Sequence, residues 1–303
     1  MDHAIETERL TCRYGRTRAV ADLTMRVPTG SIYALLGPNG AGKTTTLKTL
    51  MNLRQPASGT ARVLGVDSRA LGPADLARIG YVSEAQQLPD HLTVAGLEDY
   101  CRPFYPTWDE RFATELRARF DLDPARRVRT LSRGTRLKAA FLVALAPRPR
   151  LLVLDEPFSG LDPVVRDDLT TGLLSLADRD GWSVLLTSHE MDDVERLADH
   201  VGFLEHGQLA IEEPIASLLA RFQRVEVDVP DGTSIPEERP ASWLGFTVEG
   251  RAVRFIESRM SPAADAEWRA AFPGARIDTA RMSLRDVFVA LARASRQPSG
   301  GTR

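Results

Sequence analysis

Cysteine, lysine and long apolar runs are all scarce in this chain of 303 residues. Two cysteines, Cys12 and Cys101, cannot build a disulfide framework, and they lack the His and Cys spacing of a zinc site. Lysine occurs at only three positions, Lys43, Lys48 and Lys138, among 39 basic residues, so each one is worth inspecting. No stretch approaches the ~20 apolar residues that cross a bilayer; the longest clean run is Ala139 to Ala146. The opening MDHAIETERL is acidic and polar, so no signal peptide is expected, and any membrane link is expected to run through a partner. A formal net charge of −2 leaves no overall basic field to hold nucleic acid, and no nucleic-acid partner is expected. What remains is an ordinary globular composition, 43% hydrophobic and 26% charged, with room for one large or two modest domains.

Ser31 to Leu36 (SIYALL) reads as a short buried strand. It runs into GPNGAGKTT, which is Gly37, Pro38, Asn39, Gly40, Ala41, Gly42, Lys43, Thr44 and Thr45, and then into a helical stretch through Leu50. Strand, G-x-x-x-x-G-K-T and helix in that order make a P-loop. The glycines let the backbone curl so that its N–H groups face phosphate oxygens. The helix that follows aims its positive end at the same anion. Lys43 adds a full charge near the β- and γ-phosphates, and the Thr44 hydroxyl is placed for Mg²⁺.

A second apolar strand, LLVLDEP, runs from Leu151 to Pro157. A carboxylate ending such a run is costly unless a metal or a donor meets it. Asp155 is therefore assigned to Mg²⁺, and Glu156, next in line, to polarising the attacking water as general base. A third strand, SVLLTSH, ends at His189, where parallel sheets present groups to ligands; His189 is expected to sense the γ-phosphate.

With these three strands in place, Ile5 to Phe222 resembles the nucleotide-binding subunit of an ABC transporter. Tyr14, 29 residues before Lys43, matches the aromatic residue that stacks on adenine. LSRGT, Leu131 to Thr135, sits where the family carries its LSGGQ signature, SGLD (Ser159 to Asp162) resembles the D-loop, and His189 matches the switch histidine. The resemblance implies an α/β fold of P-loop NTPase type: a mixed-sheet core, an antiparallel β layer, and a helical subdomain over about 88–147. It implies ATP and Mg²⁺ as cofactors, with Asp162 near the nucleotide. It also implies hydrolysis at composite sites, where Ser132 and Gly134 of one subunit meet the ATP held by another. The second ATPase subunit is then a homodimer or heterodimer mate. Integral membrane permease subunits are the further partners, and the chain is expected on the cytoplasmic face of the cell membrane.

Two departures stand out. Glu84, in IGYVSE, takes the place of the Q-loop glutamine; it can ligate Mg²⁺ through oxygen and is counted with the catalytic and metal residues. Arg133 replaces a signature glycine and is either an extra phosphate-side cation or a solvent-facing substitution, the latter being favoured. FYPTWDERF (Phe104 to Phe112) and DPVVR (Asp162 to Arg166) resemble a bacterial exporter-type group with separate membrane subunits. Residues 223–303 read as a small α+β accessory domain with strands, two helices, turns at Asp231-Gly232 and Glu249-Gly250, and a disordered QPSGGTR tail. The competing functions are a soluble ABC-type ATPase and a nucleotide-sensing module not coupled to transport. One P-loop, no sustained heptads and the retained Glu156 speak against both.

Overall fold

The computed structural model describes residues 2–83, 86–230 and 235–296, with backbone alone at 176, 178–180, 295 and 296. Glu84, the Asp231-Gly232 turn and the QPSGGTR tail lie outside the described residues. The chain forms two compact units, Met1–Glu212 and Glu213–Arg303.

In the first unit, alternation of buried and exposed residues produces two long antiparallel strands, β1 (His3–Tyr14) and β2 (Thr17–Pro28). After β3 (Ile32–Leu36) and α1 (Lys43–Leu50), the chain returns to this layer as β4 (Ser58–Val63) and β5 (Val66–Asp67), giving the order β2-β1-β4-β5. A short α2 (Pro73–Leu76) leads into β6 (Ile79–Ser83).

The helical stretch follows: α3 (Val94–Cys101), α4 (Glu110–Arg119) and α5 (Arg133–Leu145). Phe112 and Leu116 are fully buried, and Phe120 and Leu122 nearly so, which makes them the core stripe of this region. Asp109, of the FYP-x-W-D stretch, caps α4 by accepting from the Phe112 N–H at 2.9 Å. It also accepts from Arg148 Nε at 3.0 Å, and the Arg148 guanidinium lies 3.9 Å over the Phe112 ring. That motif is thus a joint within the helical region.

The chain then completes its central sheet with β7 (Leu151–Asp155), α6 (Pro163–Asp180), β8 (Ser183–Ser188), α7 (Met191–Leu197), β9 (His200–Glu205) and β10 (Gln208–Pro214). The sheet order is β10-β9-β3-β8-β7-β6, and the pairs from β9 through β6 are parallel. Strands β3, β7 and β8 are buried at every residue, as a sheet covered on both faces requires. Ile5, Leu23 and Met25 of the antiparallel layer share one core with Leu47 of α1 and with Leu35, Val153 and Leu185 of the central sheet.

The second unit begins with α8 (Ile215–Arg221), so its border lies ten residues ahead of the expected 222/223 division. The reason is Arg221, which donates to the Glu213 carboxylate at 2.6 Å and to the Ser258 carbonyl at 3.0 Å, while its own carbonyl accepts from the Met260 N–H at 2.9 Å. The rest is β11 (Gln223–Asp228), β12 (Trp243–Glu249), β13 (Ala252–Glu257), α9 (Pro262–Ala271), β14 (Arg276–Arg281) and α10 (Leu284–Arg296). Its antiparallel sheet has the order β12-β13-β11-β14 over a core that includes Trp243, Phe255, Trp268 and Phe272.

Candidate nucleotide site

Register brings the ends of four strands into line. Leu36 lies beside Ser188, Thr187 beside Asp155, and Asp155 beside Ser83. The residues that follow β3, β7 and β8 therefore emerge along one edge of the sheet, where open α/β sheets hold their ligands.

The 37–42 loop is pressed against its surroundings. A Cβ on Gly37 would fall 2.3 Å from the Leu204 carbonyl oxygen, and one on Gly42 would fall 2.3 Å from that of Ala19. Both positions also have positive φ, +156° and +110°, so glycine is needed twice over. Gly42 precedes α1 with no side-chain cap, which leaves the helix N–H groups available to an anion. Within the loop the Ala41 N–H donates to the Pro38 carbonyl, while Asn39 and Gly40 are exposed.

Lys43 is 6% exposed. Its Nζ donates to the carbonyls of Gly37 at 2.6 Å and Pro38 at 3.3 Å, and lies 3.1 Å from Glu156 Oε1. The other Glu156 oxygen is 2.8 Å from His189 Nδ1, and His189 Nε2 is 3.6 Å from Glu190 Oε1. The Glu156 carboxylate thus sits between an ammonium and an imidazole.

Asp155, 5% exposed, accepts at one oxygen from two hydroxyls, Thr44 Oγ1 and Thr187 Oγ1, each at 3.0 Å. Thr187 in turn accepts from the Glu156 N–H at 3.0 Å. Glu156 has φ +50°, in the left-handed region, so its backbone is held there by that bond and its neighbours. Sequence reading missed Thr187; its one signal is a hydroxyl inside the apolar run SVLLTS. Burial, and then the Asp155 charge, push the Tyr81 phenol above its ordinary pKa, so it stays protonated. The Thr44 hydroxyl and the Asp155 carboxylate form a hard, oxygen-only donor pair. Such a pair suits Mg²⁺, which takes few protein ligands and completes its shell with phosphate and water.

The remaining expected residues stand apart. Ser132 caps α5, accepting from the Thr135 N–H at 3.2 Å with its hydroxyl 2.8 Å from that of Thr135. Asp162 caps α6 through the Val164 N–H at 2.9 Å. Tyr14 is 49% exposed, with the Arg54 guanidinium 3.6 Å over its ring, a pairing the sequence did not reveal. Among the described residues, no hydrogen bond or ion pair joins Tyr14, Ser132, Gly134 or Asp162 to Lys43, Asp155, Glu156 or His189.

Comparison with known proteins agrees with this geometry. The ABC transporter family profile matches residues 20–159. The chain is 30% identical over 278 residues to the bacitracin transport ATP-binding protein BcrA of Enterococcus faecalis, covering 86% of each chain. It is 32% identical over 308 residues to the daunorubicin/doxorubicin resistance ATP-binding protein DrrA of Streptomyces peucetius, covering 95% of this chain and 92% of that one. Among solved structures, an ATP-binding subunit of an ABC transporter superposes with a TM-score of 0.65 at 25% identity, over 71% of this chain and 91% of the other. The dimeric cassette MJ0796 superposes at 0.63 and 22% identity, over 70% and 98%, a likeness of fold. The chain belongs to the ABC transporter family, as an ATP-binding subunit.

Proposed function

We propose that two copies of this chain hydrolyse ATP with Mg²⁺ at two shared sites, and that the cycle drives separate membrane-spanning export subunits. One observation carries the chemistry: Lys43, Glu156 and His189 form a continuous line of contacts beside the Thr44–Asp155–Thr187 set. Each chain also holds both a P-loop half, with Asp155 and Glu156, and a signature half, so two copies make two complete sites.

In this reading Tyr14 stacks on adenine, and the loop N–H groups with Lys43, Thr44 and Thr45 hold the phosphates. Thr44 and Asp155 hold Mg²⁺, together with Glu84, which lies outside the described residues; the ion supplies charge neutralisation at the phosphates. Phosphate oxygens compete with Glu156 and the Gly37 carbonyl for the Lys43 ammonium. As Lys43 turns to phosphate, Glu156 is freed to take a proton from the attacking water. The water oxygen then bonds to the γ-phosphorus as its bond to the ADP oxygen breaks, the electron pair leaving with ADP, and His189 donates to the departing phosphate. Ser132 and Gly134 of the second copy close the site over the γ-phosphate, and Asp162 orders the loop between the two.

The link to the membrane is proposed to run through a groove of about 410 Å³ in the first unit. Leu53, Tyr81, Leu88, Tyr100 and Tyr105 are among its walls, and Tyr100 is 57% exposed. Val94 is fully buried and Leu92 lies outside the lining, so neither is a wall residue. A short helix of a membrane subunit fits such an apolar groove. Among the described residues no helix is long and apolar enough to cross a membrane, and a membrane-spanning partner is the proposed route to the cytoplasmic face. The transport and resistance functions named for the relatives support the export role.

Steady-state turnover of Glu156→Gln tests the reading. A fall of roughly 10²–10⁴ with ATP binding retained is expected, the usual cost of losing a general base. Unchanged turnover would remove Glu156 from its role, and absent turnover in the wild type would favour the nucleotide-sensing alternative.

A further inference from the structure

Arg133 stands between Ser132 and Gly134, the residues offered to a second subunit, yet its own side chain turns back into the chain that carries it. Its Nη2 donates to the Ser159 carbonyl at 2.7 Å. The guanidinium lies where a Cβ on Gly160 would fall, 2.7 Å from Nη1 and 3.1 Å from Cζ. The loop held this way starts at the proposed base: the Ser159 N–H donates to the Glu156 carbonyl at 3.3 Å, and the Leu161 N–H donates to that of Phe158 at 3.3 Å. One residue further along, a Cβ on Gly134 would meet Val165 Cγ1 of α6 at 2.8 Å. The first turn of α5 is therefore fastened to the 156–165 segment at two adjacent points. A guanidinium suits the first point, because its planar donors can hold a carbonyl while its face covers a glycine.

We propose that Arg133 is a positioning residue that couples the two contributions a chain makes to catalysis. It ties the loop following Glu156 to the signature helix, so the base that acts at a chain's own ATP moves with the signature lent to the other ATP. This rests on the shared-site reading given above. It differs from a direct role for Arg133 as a cation on the second subunit's phosphate, which would act across the interface and not within the chain.

The test uses full-length chains. Arg133→Ala is expected to lower kcat about 5–20-fold with the KM for ATP within about twofold, because the P-loop is untouched. Arg133→Lys is expected to recover part of the loss, since an ammonium reaches the same carbonyl. Unchanged kcat in Arg133→Ala overturns the proposal, whether or not the chain pairs.

Mixed dimers of differently tagged chains then separate the two routes. In Arg133→Ala paired with Glu156→Gln, the one live site has its Glu156 on the chain that lacks Arg133. Turnover about 5–20-fold below that of wild type paired with Glu156→Gln is expected. When wild type is paired with a chain carrying both changes, Arg133 is missing only from across the live site, and turnover close to the reference pair is expected. The reverse pattern makes Arg133 a phosphate-facing cation and overturns positioning. If turnover per chain is independent of chain concentration and Ser132→Arg alone is fully active, the shared-site reading fails, and the kcat of Arg133→Ala alone still decides the tie within the chain.

Discussion

Lys43 and Asp155 are 6% and 5% exposed, and both spend their polar atoms on groups of the same sheet edge: the Gly37 carbonyl, the Thr44 and Thr187 hydroxyls, and Glu156. Tyr14, Ser132 and Asp162 are exposed, and the contacts of the two capping residues go to groups within three residues. One group is held by residues far apart in sequence and packed into the core; the other is held locally and faces outward. Rigid placement is what general-base and phosphate-binding groups need. Outward-facing helix starts retain N–H groups for a ligand that another chain brings. Under the proposed function the contrast is between groups completed by the fold and groups completed by assembly.

The most severe way to break the exposed half is Ser132→Arg. It removes a cap and fills the helix start with a long cation. A loss of roughly 10²–10³ in turnover is expected, comparable to removing a preorganised oxyanion donor. ATP binding by the same chain should persist in filter or fluorescence assays, because the P-loop lies elsewhere. Unchanged turnover would mean the signature serves no site.

Thr187→Val sharpens the buried half. It keeps the shape but leaves the Glu156 N–H without its acceptor and Asp155 with one donor fewer. A destabilisation of about 1–3 kcal/mol is expected in denaturant unfolding. A fall of roughly tenfold in kcat is expected as well, because the left-handed turn at Glu156 loses its tether. A variant that loses stability alone would reduce Thr187 to a packing residue.

The smallest effect belongs to a joint far from either half. Asp109→Ala should cost about 1 kcal/mol at pH 7 with turnover unaffected, as expected for a lost helix cap. The Phe112 N–H, with help from Arg148, holds the Asp109 carboxyl below its ordinary value of 3.8. A depressed folded-state value means the contribution is full above that ordinary value and fades as pH falls through the folded one. The gap between wild type and variant in thermal unfolding should therefore be flat near neutrality and close in strong acid. A gap that widens in acid would contradict the assignment.

Much of this was readable in the sequence, for a physical reason. The P-loop, LLVLDE and SVLLTSH are contiguous runs in which a buried strand delivers a polar residue at its end, so composition and order alone locate Lys43, Asp155, Glu156 and His189. Thr187, Arg54 and Arg133 were unreadable because their partners lie 31, 40 and 26 positions away, and only the fold brings them together. Strand β14 was not legible because RIDTAR has one large apolar side chain, Ile277, and owes its existence to pairing with β11.

The central claim is that the exposed half is completed by a second copy, and the mass of the Glu156→Gln chain in saturating ATP and Mg²⁺ tests it most directly. Light scattering should show 33.4 kDa without nucleotide and about twice that with it, and adding Ser132→Arg to the same chain should return the mass to a single copy. A chain that stays at its single mass with ATP bound, or one that doubles regardless of Ser132, would contradict it.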